Sequence, residues 1–128
     1  GVVGPLDVKD SRVQAVLESV TSDERDECGL DDSRAIVFVA LDPEDQPAAI
    51  AGWTRWPHDV AHMGVLTHAC QRQRGLARVV SKRAIQAATE AWLVPQWRAA
   101  VANDASIGLA RSLDLVEVGR QFSIQIAE

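Results

Sequence analysis

The sequence predicts an α/β (α+β) fold with a mixed, mostly antiparallel sheet. Three strand-like segments joined by short turns occupy the middle of the chain, and short turns join antiparallel neighbours. A long amphipathic segment then separates the third of these strands from a fourth, and a crossover of that kind makes two strands parallel. Because 128 residues suffice for a single hydrophobic core, we expect residues 1–128 to form one domain.

The N-terminal part is predicted to be helical. Apolar residues at helical spacing favour a helix over Leu6–Val20, with Asp10 or Ser11 as its cap. The acidic stretch that follows ends at Gly29, and glycine is typical of a helix stop.

Three strands are predicted next. The segment Arg34–Leu41 is rich in β-branched residues, which favour strands. After the turn D-P-E-D-Q-P, the segment Ala48–Trp56 is expected to be its antiparallel partner. A further turn leads to a third strand over Ala61–Thr67, so the three strands form a meander.

The second half of the chain is predicted to alternate between helices and strands. A narrow apolar face favours a helix over Gly75–Leu93 that packs flat on a sheet and is ended by Pro95. A strand over Gln96–Ala102 and a short helix over Asp104–Leu113 follow. The alternating segment Val116–Ala127 is expected to close the sheet as one strand, with a bulge at its glycine.

Charge and composition disfavour several classes of protein. A net charge of −5 with a pI near 5.1 argues against nucleic-acid binding, whose affinity depends on cationic side chains. No apolar run approaches the ~20 residues that span a bilayer, and no signal-peptide pattern is visible. Cys28 and Cys70 lack metal-ligand spacing, so we expect free thiols, no bound metal and a cytoplasmic protein.

The segment Val65–Ala77, V-L-T-H-A-C-Q-R-Q-R-G-L-A, has the clearest chemistry. An apolar strand gives way to a basic loop, and a helix begins after Gly75. The unpaired amides and positive dipole end of a helix N-terminus attract anions, and Arg72, Arg74 and Arg78 add positive charge. The segment predicts a site for a phosphate-bearing cofactor, although a basic loop at a helix start is also typical of a solvated cap.

Two motifs in this half resemble those of a known family. The letters R-Q-R-G-L-A resemble the R/Q-x-x-G-x-G/A signature of the GNAT superfamily of acyl-CoA-dependent N-acetyltransferases. Downstream, N-D-A-S-I-G-L-A-R-S-L-D-L resembles that family's second motif, N-x-x-S/A-x-x-L/F-Y-x-x-x-G-F. The resemblance implies a GNAT-like sheet whose central parallel pair is splayed at a bulge, with helices on both faces. Residues 34–128 would be an acetyl-CoA-binding core, and residues 1–33 a helical N-terminal part.

The resemblance also implies roles for particular residues. The backbone N–H of Leu66 would polarise the thioester carbonyl, and the amine would attack directly, without an acyl-enzyme. The pantetheine arm would pair with the main chain of the third strand, and the loop amides would hold the pyrophosphate. The cofactor-binding residues implied in this way are Val65, Leu66, Thr67, Arg72, Gln73, Arg74, Gly75, Leu76, Ala77, Arg78, Asn103 and Ser106.

The catalytic groups depart from the family pattern. Ala110 stands where the family often has a tyrosine that protonates the departing thiolate. The third strand lacks the carboxylate that is common there, which leaves His62 as the candidate general base, because histidine titrates in the useful range. A histidine at a strand edge is also commonly structural, and for His68 in the loop we expect a role in local geometry.

The side of the domain that would receive the acceptor matches the family least well. Family members begin with a strand and two helices, whereas only one helix is predicted here and the first strand is expected to be absent. Either that strand is missing, or the chain is the C-terminal part of a longer protein. Trp53 or Trp56 could line an acceptor pocket, whereas Trp92 and Trp97 are expected to pack in the core.

We therefore expect an N-acetyltransferase that moves an acetyl group from acetyl-CoA to a primary amine in a ternary complex. The acceptor would be a small molecule or a peptide, and neither nucleic acid nor a membrane is an expected partner. A homodimer, or an upstream N-terminal part, could complete the protein. Two alternatives stay open. One is a non-catalytic CoA-binding sensor or half of a two-part GNAT protein, and the other is an interaction domain whose basic loop binds another anion.

Overall fold

The computed structural model describes residues 1–72, 75–98, 115–118 and 121–124, which form a mixed α+β fold. The elements in chain order are β1 (Val2–Asp7), α1 (Ser11–Glu18), α2 (Ser22–Cys28), β2 (Ile36–Leu41), β3 (Pro47–Trp56), β4 (Val60–Thr67), α3 (Leu76–Glu90), β5 (Val94–Arg98), β6 (Leu115–Val118) and β7 (Gln121–Ile124). The described strands form one sheet in the order β1-β2-β3-β4-β5-β7-β6.

The parallel pair lies at the centre of the sheet, as predicted. Among the strand pairs that the structure describes, β4 and β5 are parallel and the others are antiparallel. In the parallel pair, Val60 lies opposite Val94 and Met63 opposite Trp97. The helix α3 connects these two strands, so the crossover inferred from the sequence is confirmed.

The expected bulge is not found in the described ladder between β3 and β4. Its register runs without a shift from Ala49 opposite Thr67 to Trp56 opposite Val60. β4 therefore pairs regularly with β3 along its whole length. The expected splay of the parallel pair falls beyond Arg98, on residues 99–102, which lie outside the described residues.

Helices cover both faces of the sheet, as the resemblance implies. On one face, α3 packs its small residues Ala84 and Ala88 against Ala61, Met63 and neighbouring strand residues. On the other face, α1 and α2 pack against alternate positions of the same strands. The members of this second cluster are Val8, Val13, Val16, Leu17, Cys28, Leu30, Ala35, Val37, Val39, Ile50 and Leu66. Alternation along each strand therefore divides the core into two layers.

The first strand, which the sequence analysis expected to be absent, is present. β1 pairs antiparallel with β2 at the edge of the sheet, and its register shifts between Val3 and Leu6. Gly4 and Pro5 fall in that shift, and a proline is tolerated on an edge strand. The expectation of a purely helical N-terminal part is therefore wrong. The strand was missed because these two residues interrupt the alternation of apolar and polar residues by which a strand is identified.

Two helices follow β1, whereas one was predicted. The helix predicted over Leu6–Val20 is too long, because Leu6 belongs to β1 and α1 ends before the chain turns into α2. Asp10 caps α1 and accepts a hydrogen bond from the amide of Arg12. Gly29 ends α2 in the left-handed conformation, as predicted.

The end of α3 also differs from the prediction. The helix ends at Glu90, and Pro95 lies in β5 opposite Ala61. A proline near the first residue of a strand removes no hydrogen bond that the sheet needs. Trp92 lies in the turn with a left-handed φ of 62° and is 89% exposed, so its predicted core position is wrong. Trp97 is 2% exposed, which confirms its predicted position.

The C-terminal segment is a hairpin and not the single strand predicted over Val116–Ala127. β6 and β7 pair antiparallel, with Val118 opposite Gln121, so only two residues separate the strands. Short connections of this kind commonly contain glycine, the residue that the sequence analysis interprets as a bulge. The helix predicted over Asp104–Leu113 lies outside the described residues.

Candidate active site

The start of α3 has the shape of an anion site. Gly75 precedes the helix with a left-handed φ of 72°, and no side chain caps the helix by a hydrogen bond from the described residues. Among the described residues, a Cβ on Gly75 would meet nothing within 4 Å, so the left-handed backbone conformation is what calls for glycine. No acidic residue lies in the first turn of α3. The first amides and the positive dipole end therefore face a region suited to an anionic group.

The loop before α3 is held by two distant parts of the chain. The amide of Ala69 donates to Ser19 Oγ, between α1 and α2, over 3.1 Å. Gln71 Nε2 donates to Asp42 Oδ2, in the turn between β2 and β3, over 2.9 Å. These two contacts hold the loop at the C-terminal end of β4, just before α3 begins.

The predicted arginines are only partly within the described residues. Arg72 Nη2 lies 2.6 Å from Glu24 Oε2 of α2, and the two side chains are 52% and 38% exposed. Arg78 lies on the exposed side of the first turn of α3. Gln73, Arg74, Asn103 and Ser106, which the resemblance also implies, lie outside the described residues, as does Ala110.

Two hydrogen bonds at opposite ends of β4 fix the direction of its amides. The amide of His68 donates to the carbonyl of Ala48, next to β3. The amide of Val94 donates to the carbonyl of Asp59, on the β5 side. In a regular ladder the groups that face one neighbour recur at every second residue. Even-numbered amides such as that of Leu66 therefore face β3, and the odd-numbered amides, at positions 65 and 67, face the β5 edge.

His62 lies on the face of β4 that α1 and α2 cover. Its ring stacks on the ring of Trp56, with centroids 4.0 Å apart and planes 9° apart. A Cβ on Gly29, at the end of α2, would lie 3.7 Å from His62 Cε1. The imidazole is therefore held between an indole and the helix end. Trp53, the other candidate for an acceptor pocket, is 6% exposed and packs in the opposite layer.

The end of α2 approaches β4 closely at Gly64. A Cβ at this position would collide with the carbonyl oxygen of Cys28, and it would also lie 3.0 Å from Leu30 Cγ. Only a residue without a side chain allows this approach. Gly64 therefore fixes the distance between α2 and β4 at the level of His62.

Both cysteines are free thiols, as expected, and His68 contributes to the local geometry of its loop. The Cys28 thiol donates to the carbonyl of Arg25 over 3.1 Å, and burial raises its pKa, which makes it a poor nucleophile. Cys70 is an exposed free cysteine. Its amide donates to Nδ1 of His68 over 3.1 Å, so the His68 ring helps to shape the loop.

Several residues of this region were missed by the sequence analysis. The partners of Arg72 and Gln71, Glu24 and Asp42, are more than twenty residues away in sequence. The Trp56–His62 stack could be predicted from the pairing of the two strands. His62 lies opposite Thr54, two residues before Trp56, and side chains at such diagonal positions across a hairpin are neighbours. Finding it required the register of the hairpin.

Two kinds of feature are absent from the described part of the chain. No group of three or more histidine, cysteine, aspartate or glutamate residues there could hold a metal ion. No described helix combines the length and apolar character that crossing a bilayer requires.

The comparison with family models decides the family. The model of GNAT acetyltransferases matches residues 34–120, more than half of the 128 residues. The chain belongs to the GNAT acetyltransferase family. The family model therefore spans the strands β2 to β5, the helix α3 and the loop before it.

Solved structures share this GNAT fold. A ribosomal-protein-alanine N-acetyltransferase from Brucella melitensis is 26% identical, with a TM-score of 0.61 over 66% of this chain and 56% of that one. A presumed streptothricin acetyltransferase from Bacillus anthracis, solved with acetyl coenzyme A, is 13% identical, with a TM-score of 0.65 over 77% of this chain and 66% of that one. A presumed acyl-CoA N-acyltransferase from Klebsiella pneumoniae is 12% identical, with a TM-score of 0.76 over 97% and 95%.

The chain thus spans little more than half the length of the Brucella enzyme and nearly all of the Klebsiella protein. A search of curated proteins finds no match.

Proposed function

We propose that the protein transfers an acetyl group from acetyl-CoA to a primary amine by direct attack in a ternary complex. One observation carries the proposal: a left-handed Gly75 opens α3 directly after the loop that follows β4, with no acidic residue in the first turn. Phosphate groups bind well at such helix starts. Acetyl-CoA, when bound, supplies the pyrophosphate for this end and an activated acetyl group for transfer.

The residues that hold acetyl-CoA in this proposal are those implied by the family resemblance. Amides of residues 72–78 bind the pyrophosphate, and Arg74 and Arg78 add positive charge. The main chain of β4 binds the pantetheine arm, and Asn103 and Ser106 contact it from the following segment. What supports the β4 part is that the amides of Val65 and Thr67 face the β5 edge.

The donor to the thioester carbonyl needs a choice among the amides of β4. The sequence analysis expected the backbone N–H of Leu66, but the regular ladder turns this amide towards β3. Without a local rearrangement of β4 it would not reach a ligand at the β5 edge. We propose that the amide of Val65 or Thr67 fills this role, because an oxyanion donor must point at the developing charge.

His62 is the proposed general base. A primary amine with a pKa of about 10.4 is protonated at neutral pH and must lose a proton before it attacks. An imidazole can accept that proton near neutral pH. The stack on Trp56 and the nearby end of α2 hold the ring in one orientation, as a proton acceptor requires. The acceptor would then approach from the face covered by α1 and α2.

A CoA-binding sensor without catalysis is the alternative, and Ala110 at the tyrosine position favours it. The first strand and the second helix, whose expected absence suggested a two-part protein, are present before β2. We further propose that the acceptor is a small molecule or a peptide. We also propose that the protein forms homodimers and is located in the cytoplasm.

The test is thiol release from acetyl-CoA in the presence of a panel of primary amines, with mass spectrometry of the products. The proposal expects amine-dependent release and an acetylated amine for at least one acceptor. Binding of acetyl-CoA with no turnover across small amines and lysine peptides would favour the sensor. No binding at all would contradict both.

A further inference from the structure

Asp42 is a buried carboxylate at the end of β2. It is 7% exposed, and the other polar residues buried to this degree in the described part of the chain are Thr54 and Ser81, which are uncharged. A carboxylate at this depth needs hydrogen-bond donors for both oxygens. Its partners therefore indicate what it does.

The two oxygens of Asp42 have different partners. Oδ1 accepts hydrogen bonds from the amides of Glu44 over 2.8 Å and Gln46 over 2.9 Å, which closes the turn between β2 and β3. Oδ2 accepts a hydrogen bond from Nε2 of Gln71 over 2.9 Å. Oδ1 thus stabilises the turn between β2 and β3, and Oδ2 links this turn to the loop before α3.

The contact with Asp42 decides how the Gln71 side chain is oriented. Its Oε1 is buried and has no hydrogen-bond partner among the described residues. The opposite amide orientation would place this oxygen against the carboxylate of Asp42, which is unfavourable. The contact therefore fixes the side chain one residue before Arg72.

The same loop has two further ties: the amide of Ala69 donates to Ser19 Oγ over 3.1 Å, and a surface ion pair involves Arg72. Arg72 pairs with Glu24 at the surface, with both side chains more than a third exposed. Such pairs add little, because water and salt screen them. A buried, charge-assisted hydrogen bond is stronger and more directional. Of the two side-chain ties that involve a charge, the Asp42–Gln71 link is therefore the one expected to hold the loop in place.

We propose that Asp42 is a positioning residue for acetyl-CoA binding, acting through Gln71 on the loop that presents its amides to the pyrophosphate. The inference rests on the proposed function, which places the pyrophosphate at this loop. Asp42 does not touch the ligand. It holds a loop whose amides bind well only when their directions are set in advance.

The experiment is a double-mutant cycle with Asp42→Ser and Gln71→Met. A serine hydroxyl can accept from the turn amides as aspartate does, but it is too short to reach Gln71. Methionine matches the length of glutamine without a donor. Isothermal titration measures the Kd for acetyl-CoA of the wild type, both single variants and the double variant. The matched control is Glu24→Gln, which removes the charge of the surface tie.

We expect each single variant to bind acetyl-CoA about tenfold more weakly, the loss that corresponds to one charge-assisted hydrogen bond. The double variant should bind no more weakly than the weaker single variant, because both changes break the same link. Glu24→Gln should bind no more weakly than the wild type, because it removes a negative charge near the phosphates. In turnover assays the KM for acetyl-CoA should rise while the KM for the amine stays unchanged.

Two results would overturn the inference while leaving the proposed function intact. One is an unchanged Kd in both single variants, including the case in which their melting temperatures fall, because a purely structural role lowers stability alone. The other is a double variant whose losses add to about a hundredfold, which indicates independent effects. A wild type that binds no acetyl-CoA would instead reject the proposed function and this inference together.

Discussion

The two faces of β4 are packed in different ways. Under α3, alternate residues such as Ala61 and Met63 meet the small side chains of a flat helix face. The charged group described in this layer is the guanidinium of Arg83, which lies over the Phe38 ring, 4.8 Å from its centroid. Under α1 and α2, the alternate positions hold His62, Gly64 and Leu66. There the end of α2 lies against the strand, and an imidazole stacks on Trp56.

One strand can thus have a layer of packed apolar residues on one face and a candidate base on the other. The period of two along a strand sends neighbouring residues to opposite layers. The α3 layer can therefore be filled for packing, while the other layer keeps a histidine beside a helix end. On this account, substitutions on the first face should change stability alone, and substitution of His62 should change activity alone.

The largest effect is expected from Gly64→Ala, which tests the close approach of α2. The new Cβ would collide with the carbonyl of Cys28, so backbone must move. We expect a loss of about 3 kcal/mol or more in the free energy of unfolding, measured by urea denaturation. The control is Val65→Ala, at the next residue, whose side chain lies on the α3 side of the sheet. It should lower the free energy of unfolding by less than Gly64→Ala does. A Gly64→Ala protein as stable as the wild type would show that α2 does not lie this close.

The next effect tests the chemistry of this face with His62→Phe, which keeps a ring to stack on Trp56. Loss of a general base should lower kcat by about a hundredfold, or about 2.7 kcal/mol. The melting temperature should change little, because the phenyl ring keeps the stack on Trp56. The pH dependence of kcat should lose its rise from acid to neutral pH. Unchanged kcat in this variant would remove His62 from the mechanism.

A smaller effect is expected on the opposite face from Ala84→Leu. Ala84 is fully buried in the layer between α3 and the sheet, and the larger side chain cannot fit without displacing its neighbours. Overpacking should cost about 2 kcal/mol in unfolding free energy. Ala87→Leu, at a partly buried position of the same helix, is the control and should cost less. The Kd for acetyl-CoA should not change in either variant; a large change in Ala84→Leu would mean that the two faces are coupled.

The smallest effect concerns the start of α1. The Arg12 guanidinium and amide lower the pKa of Asp10 from its usual 3.8 to about 2. Since the folded-state pKa is the lower one, the stabilisation is present above pH 3.8 and is lost as the pH falls through about 2. Asp10→Ala should therefore lower the melting temperature by a few degrees at neutral pH, with a difference that shrinks in acid.

The matched variant for this change is Asp10→Asn, because asparagine also caps helices but does not titrate. Its melting temperature relative to Asp10→Ala should stay nearly constant between neutral and acid pH. A difference between wild type and Asp10→Ala that stays constant with pH would contradict the lowered pKa.

Features that depend on neighbouring residues were predictable from the sequence. β2, β3 and β4 begin and end within two residues of their predicted bounds, because their apolar runs are bordered by polar turns. Gly75 and Gly29 were placed correctly, because a left-handed residue at a helix end calls for glycine. The parallel crossover followed from one long helix between two strands.

Features that depend on pairing were not predictable. β1 is interrupted by Gly4 and Pro5, and only its partner on the sheet shows that it is a strand. A glycine within the alternating segment Val116–Ala127 resembles a bulge until the pairing of β6 with β7 is known. In the same way, the Asp42–Gln71 link joins residues 29 positions apart. The orientation of the Leu66 amide required the register of β4.

The start of α3 is the proposed site of the acetyl-CoA pyrophosphate, and an isosteric pair of variants at Gly75 distinguishes this placement from any other. Asparagine and aspartate both tolerate the left-handed conformation, and a Cβ at this position has no described atom within 4 Å. The two variants therefore differ mainly in one negative charge. Isothermal titration with acetyl-CoA, at low and at high salt, measures its effect.

We predict that Gly75→Asp binds acetyl-CoA at least about tenfold more weakly than Gly75→Asn at low salt, because a carboxylate would lie beside the phosphates. The gap should narrow at high salt, where the repulsion is screened. Equal affinities of the two variants at low salt, with the wild type binding normally, would place the pyrophosphate elsewhere and contradict the account.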